Sequence, residues 1–275
     1  MEKWLKLFLS GFTLLLFISC GKSNKEKDPR TLAEERYKDA IFYRQGSVAF
    51  QNGIAEAITI DPTYEPGVYE LSVADLKRGL PNKWLPQYNK AVVLNPEQRI
   101  PWRGYLYLWF YRDYEKAIAD FNASDSITPY LDYPQGHSVD FWRGIAYLGL
   151  KDYNNSIAFW KKHITKETKD SGEDWVELEA FLYRGIAFFE AGNSEKANDN
   201  FDKLIKYFTN SADAKYYKAQ LLLNEGNNKE ALNMLNDAIV DFNNGYYNNR
   251  AYVETLRQIY LEDLEELKAK IIASN

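Results

Sequence analysis

The sequence predicts an all-α fold, a solenoid of antiparallel helix pairs closed by a C-terminal capping helix. Three observations predict it. From about Leu32 onward apolar residues recur at helical spacing, with no convincing alternating strands. The stretch WRGYLY at 102–107 returns as WRGIAY at 142–147 and as YRGIAF at 183–188. Thirteen residues after Arg143, Arg184 and Lys218 come Ser156, Ala197 and Ala231, and four further on Trp160, Phe201 and Leu235. The unit that begins at Arg103 needs one extra residue to reach Ala117 and Phe121. A small residue where helices cross, then a bulky one a turn later on the same face, is the pattern of a helix hairpin.

Taken in order, residues 1–19 (MEKWLKLFLSGFTLLLFIS) place Lys3 and Lys6 before an apolar run from about Leu7 to Ile18. That is the charged and apolar layout of an export signal, too short to span a membrane comfortably. FISC at 17–20 resembles the lipobox of bacterial lipoproteins, with Phe17 in place of the usual Leu. The resemblance implies lipidation at Cys20, the single cysteine, which also rules out an internal disulfide. The alternative is an ordinary secretory signal that contains a cysteine. Residues 20–35 open with polar GKSNKEKDPR, which buries no apolar surface and reads as a flexible tether.

The repeats occupy 36–245. Gly104, Gly144, Gly185 and Ala219 supply small residues in the first helix of a pair, and Ala117, Ala197 and Ala231 in the second. DYEKAIADF at 113–121 opens a second helix, and Pro62, Pro96 and Pro129 recur at steps near 34 residues. These residues resemble tetratricopeptide repeats, whose unit is ~34 residues. The resemblance implies about six repeats in a right-handed superhelix. The first is degenerate, being short between Gly53 and Pro62. Longer joints at 124–140 and 163–175 are expected to project as loops.

Residues 246–275 place Val253, Leu256, Ile259, Tyr260, Leu264, Leu267 and Ile271 at three- and four-residue steps. One apolar and one charged side fit a capping helix that covers the last repeat. A partner-binding helix is the rival reading.

The three Arg–Gly pairs now have a reason. Gly104, Gly144 and Gly185 mark close helix approaches, and the neighbouring aromatics fill the grooves between helices. Arg103, Arg143 and Arg184 are expected to lay their stems along the core edge and pair with carboxylates on adjacent helices. A ligand-binding role for them is the alternative.

Nothing in the sequence assembles a catalytic site. Phosphate-cradling, dinucleotide and nucleophile-elbow motifs are missing. His137 sits in PQGHS with no second histidine or cysteine near it in sequence, so no metal site is expected, and no cofactor. His163, three residues after Trp160, reads as structural. A net charge of −5 argues against nucleic acid, whose phosphates need a clustered basic face.

Binding is the better supported class. With 21 Tyr, 15 Phe and 7 Trp, aromatics are unusually plentiful, and most are expected to fill the gaps between helices in the core. The resemblance implies that the first helices line a concave wall, through Tyr69, Tyr105, Leu108, Trp109, Phe141, Ile145, Phe189 and Tyr216. Such a wall suits an extended peptide or an amphipathic helix. The expected function is therefore a non-enzymatic, lipid-anchored scaffold for protein partners in the bacterial cell envelope. It would be exported and anchored through Cys20, in the outer membrane, facing the periplasm or the surface. The alternative is a surface lipoprotein that captures glycans or nutrients.

Overall fold

A computed structural model describes residues 27–129 and 133–274. The export segment 1–19, Cys20 and the start of the tether lie outside the described residues. The described residues form helices and no strand. Six helix pairs follow one another: α1 and α2 (Pro29–Ala40, Val48–Ile60), α3 and α4 (Glu65–Lys77, Pro81–Leu94), α5 and α6 (Pro96–Leu106, Tyr114–Ile127). Then come α7 and α8 (Val139–Gly149, Tyr153–Ser171), α9 and α10 (Leu178–Glu190, Ser194–Tyr207), α11 and α12 (Ala212–Asn224, Asn228–Asn243). A last helix, α13 (Leu261–Ala273), packs against α12 and α11. Consecutive helices pack against one another, both within each pair and from one pair to the next, which is the nearest-neighbour stacking of a solenoid.

Local chemistry sets the helix starts. Ser47, Asp113, Ser138, Asp152 and Asn193 each accept a hydrogen bond from the backbone N–H three residues on, satisfying an otherwise orphaned donor. Asp28 does the same for Thr31, with Pro29 in the first helical position. This cap moves the first boundary. Residues 29–35, read as tether, are the opening of α1. It also restores the first pair, whose second helix α2 is a full 13 residues and was expected to be truncated. Gly53 lies in that second helix, where an added Cβ would come within 2.7 Å of Ala40 Cβ.

The recurring glycines sit at helix crossings. A Cβ at Gly104 would meet the Phe121 ring at 2.7 Å, and one at Gly185 the Phe201 ring at 2.5 Å. At Gly144 the Trp160 indole would lie 2.5 Å away, and Ser156 Oγ donates to the Gly144 carbonyl at 2.7 Å. Ala117, Ser156, Ala197 and Ala231 are fully buried, as are the bulky residues a turn later. Those rings also join successive pairs. Trp160 lies parallel to Tyr183 at 6.0 Å, and Phe201 to Tyr217 at 5.4 Å.

Two irregularities explain sequence features. The extra residue after Arg103 is absorbed in a π-helical turn over Tyr107–Tyr111, closed by Arg112 in the left-handed region (φ 53°). The insertion at 163–175 does not project as a loop. It lengthens α8 to 19 residues and ends in a short 3₁₀ turn at Glu173–Trp175.

The C-terminal segment departs most from expectation. Of the described residues 246–274, only Leu261–Ala273 are helical. Leu264, Leu267 and Ile271 bury against the last pair, while residues 246–260 form an irregular loop. None of the described helices is long and apolar enough to cross a membrane.

Candidate functional site

The loop 246–260 runs out along the wall of first helices and returns. It leaves α12 with Tyr247 stacked on Phe242 at 4.4 Å. The Asn248 backbone N–H then donates to Asp213 Oδ2 at 2.7 Å, and its side-chain amide donates to the Tyr183 hydroxyl at 3.0 Å. Next, the Arg250 guanidinium lies 5.1 Å from the ring centroids of both Trp109 and Trp142, and 3.5 Å from Glu179. The turn comes at Tyr252, whose ring lies 4.9 Å from Lys77 Nζ on the second pair. On the way back Arg112 donates to the Glu254 carbonyl, Leu256 is buried, and Arg257 makes a two-point pair with Glu190. The wall is thus covered by the chain itself from the fifth pair to the second.

Two cavities flank this loop. One of about 300 Å³ lies at its tip, among Tyr69, Lys77, Trp84, Trp102, Tyr105 and Phe110, with Ala251 and Tyr252 closing one side. Its aromatic walls are firm. Tyr69 is held between the Tyr88 edge at 5.8 Å and the Arg99 guanidinium at 3.8 Å. Lys77 is the cation at this site, held by Gln45 Oε1 at 2.7 Å and without a carboxylate within ion-pair distance among the described residues. The second cavity, about 230 Å³, lies at the loop's base beside Glu179, Leu182, Phe208, Asp213 and Tyr246. Burial there raises the Asp213 carboxyl to about 6, partly opposed by the Asn248 N–H.

Of the eight wall residues, Tyr69 and Tyr105 reach the tip cavity. Trp109 carries Arg250 of the loop. Leu108, Phe141 and Ile145 are fully buried, so they serve the core and not an open surface. Phe189 packs edge-on to Tyr217 at 5.3 Å, and Tyr216 faces α13 beside Leu267. The reason is geometric: the repeat register places these residues on the inner side of the helices but says nothing of what covers it. Trp102 and Phe110, which complete the tip cavity, belong to WRGYLYLWF and carried no separate signal.

The recurring arginines are consumed internally. Arg103 forks onto Asp120 of α6 at 2.8 and 2.7 Å and donates to Asn89 of α4 at 2.7 Å. Arg143, almost fully buried, donates to Asp125, Asp140, Asn122 and the Phe121 carbonyl. Arg184 departs from the expected carboxylate pairing: its Nε donates to the Asn200 amide oxygen at 2.6 Å, and burial lowers its guanidinium pKa.

The two histidines, far apart in sequence, share one carboxylate. His163 Nε2 lies 2.9 Å from Glu177 Oε2 and His137 Nδ1 3.3 Å from Oε1, while His137 stacks on Phe141 at 4.2 Å. Ser138 Oγ lies 3.0 Å from His163 Nδ1. Burial alone would raise the Glu177 pKa; the bonds from His137 and His163 outweigh it and hold the group well below its ordinary value. The cluster ties the fourth pair to the fifth. Among the described residues no group of three ligands is arranged to hold a metal ion.

Comparison with known proteins places the fold. A tetratricopeptide repeat family model matches residues 188–249, from the end of α9 through α12 into the loop. PilF of Pseudomonas aeruginosa superposes with a TM-score of 0.59 at 15% identity, over 80% of this chain and 94% of that one. YrrB, described as a TPR protein with an unusual peptide-binding site, superposes at 0.50 and 17% identity over 68% and 91%. In sequence, JmjC domain-containing protein C of Dictyostelium discoideum is 42% identical over 55 residues, 20% of this chain and 12% of that protein. The structural likenesses concern the fold alone, and the chain spans a small fraction of the Dictyostelium protein. Residues 188–249 thus match the tetratricopeptide repeat, and the stacked helix pairs of the described residues share the fold of tetratricopeptide-repeat proteins.

Proposed function

We propose that the protein is a non-catalytic scaffold, exported and held at a bacterial envelope membrane by lipid on Cys20, which binds a protein partner through its inner wall. The single observation that carries the binding reading is the tip cavity. Aromatic faces of Tyr69, Trp102 and Tyr105 meet one cation, Lys77, in a space of about 300 Å³. That volume suits one or two large side chains of a partner segment, with Lys77 available to a carboxylate. The anchor is supported by the FISC sequence at the end of an apolar run. Two acyl chains would make attachment stable, where one would be marginal.

The test joins both parts. A photo-crosslinking residue at Trp102, in cells, is expected to trap a polypeptide, and Tyr69→Ala to abolish the adduct. Cys20→Ala is expected to move the protein from the membrane to the soluble fraction. No polypeptide adduct at Trp102 would contradict the binding reading, and unchanged membrane retention the anchor.

A further inference from the structure

The loop 246–260 discloses what chemistry the inner wall accepts. Its three anchors are polar groups meeting acids or hydroxyls of the wall: the Asn248 backbone N–H on Asp213 and its side-chain amide on Tyr183, Arg250 on Glu179, and Arg257 on Glu190. Arg250 adds the two indoles of Trp109 and Trp142, a seat that a planar, weakly hydrated guanidinium fits better than an ammonium. The wall here is acidic and aromatic, and its occupant brings two arginines seven residues apart.

The occupant is imperfectly matched. Arg250 Nε is buried without a hydrogen-bond partner, and its ion pair with Glu179 is long at 3.5 Å. Tyr252 and Arg257 hold φ at 71° and 58°, a region L-residues with side chains rarely adopt. The tip itself is outside the core, with Tyr252 75% exposed. The turn itself is exposed and is held from its two legs, by the anchors there and by Leu256, which is buried in the core.

We propose that the wall of the third to fifth pairs binds an extended, arginine-bearing segment of a partner, and that residues 246–260 occupy this seat until the partner exchanges with them. The proposal rests on the scaffold reading and names the partner chemistry for it. An internal occupant competes at a high effective concentration, so exchange needs a segment that satisfies the Trp109–Trp142–Glu179 seat better than Arg250 does.

The test uses the full chain and a fluorescent peptide with the sequence of residues 246–260. Arg250→Ala with Arg257→Ala is expected to bind the peptide about tenfold tighter, or more, than the unmodified protein does. A peptide with both arginines replaced by glutamate is expected not to bind. No binding by the folded variant, or equal binding of the two peptides, would overturn the proposal. Should the double variant fail to fold, hydrogen exchange on the unmodified protein decides. Amides of 248–258 are expected to exchange at least about tenfold faster than those of α9 and α11; equal protection would overturn it. Because the peptide is the chain's own sequence, a missing envelope partner leaves this outcome unaffected. A failed titration likewise leaves the Trp102 adduct and the Cys20 result intact.

Discussion

Arg257 grips Glu190 through two nitrogens, Nε to Oε1 at 2.5 Å and Nη2 to Oε2 at 2.9 Å, and so fastens the returning leg of the C-terminal loop to the fifth helix pair. Both groups are partly shielded, and the pairing raises the arginine's pKa. Arg257→Ala is expected to lower stability by about 1.5–3 kcal/mol, the range for hydrogen bonds to charged groups. Chemical denaturation checks it, with Arg257→Lys recovering only part of the loss, since an ammonium cannot fork.

Gly144→Ala sets two effects against each other. Alanine in a helix interior gains about 1 kcal/mol over glycine. The added methyl would sit 2.5 Å from the fully buried Trp160 indole, which has no room to withdraw. Overpacking of this kind costs about 1–3 kcal/mol, and with a contact this short the clash is expected to win. A lower Tm for Gly144→Ala is the expected result; a higher one would place the helices farther apart.

Glu177 gives the fold an acid limit. Its pKa is held below the ordinary 4.5 by His137 and His163, against the opposing effect of burial. A depressed carboxyl contributes stability above its unfolded pKa and loses it as pH falls toward the folded value. Stability measured downward from pH 5 is expected to decline less steeply in Glu177→Gln than in the unmodified chain.

Asp213 acts with the opposite sign. Burial lifts it from 3.8 to about 6. Its favourable contribution is complete below the unfolded pKa and is lost as pH rises through about 6, a change on the order of 3 kcal/mol. Asp213→Asn is expected to flatten the stability profile between pH 4 and 6. Denaturation midpoints across that interval check it, and an unchanged slope would contradict the assignment.

What was legible in the sequence was what repeats locally. The spacing from Arg143 to Ser156 and Trp160 is a contact within one hairpin, so periodicity reveals it. The extra residue after Arg103 was visible too, although its outcome, a π turn at Tyr107–Tyr111, was not. Asp28 followed by Pro29 was a readable helix start inside a polar stretch, overshadowed by the charge around it. The loop was hidden for a physical reason. Val253, Leu256, Ile259 and Tyr260 keep helical spacing, yet all lie on the irregular returning leg, where Leu256 and Ile259 are buried and Tyr260 is exposed. The left-handed turns at Tyr252 and Arg257 use residues that carry no turn signal. The wall residues were hidden similarly: Phe141 and Ile145, expected to line an open wall, are fully buried, and the chain's own cover over the neighbouring Trp109 and Trp142 depends on contacts more than a hundred residues apart.

The central claim is that the chain's own loop fills its inner wall, with Arg250 between two indoles. Nuclear magnetic resonance of a sample labelled at arginine and tryptophan tests it most directly. Arg250 side-chain protons are expected to show strong ring-current shifts and cross-peaks to both Trp109 and Trp142. Arg250 at the shifts of an unstructured arginine, with cross-peaks to neither indole, would contradict it.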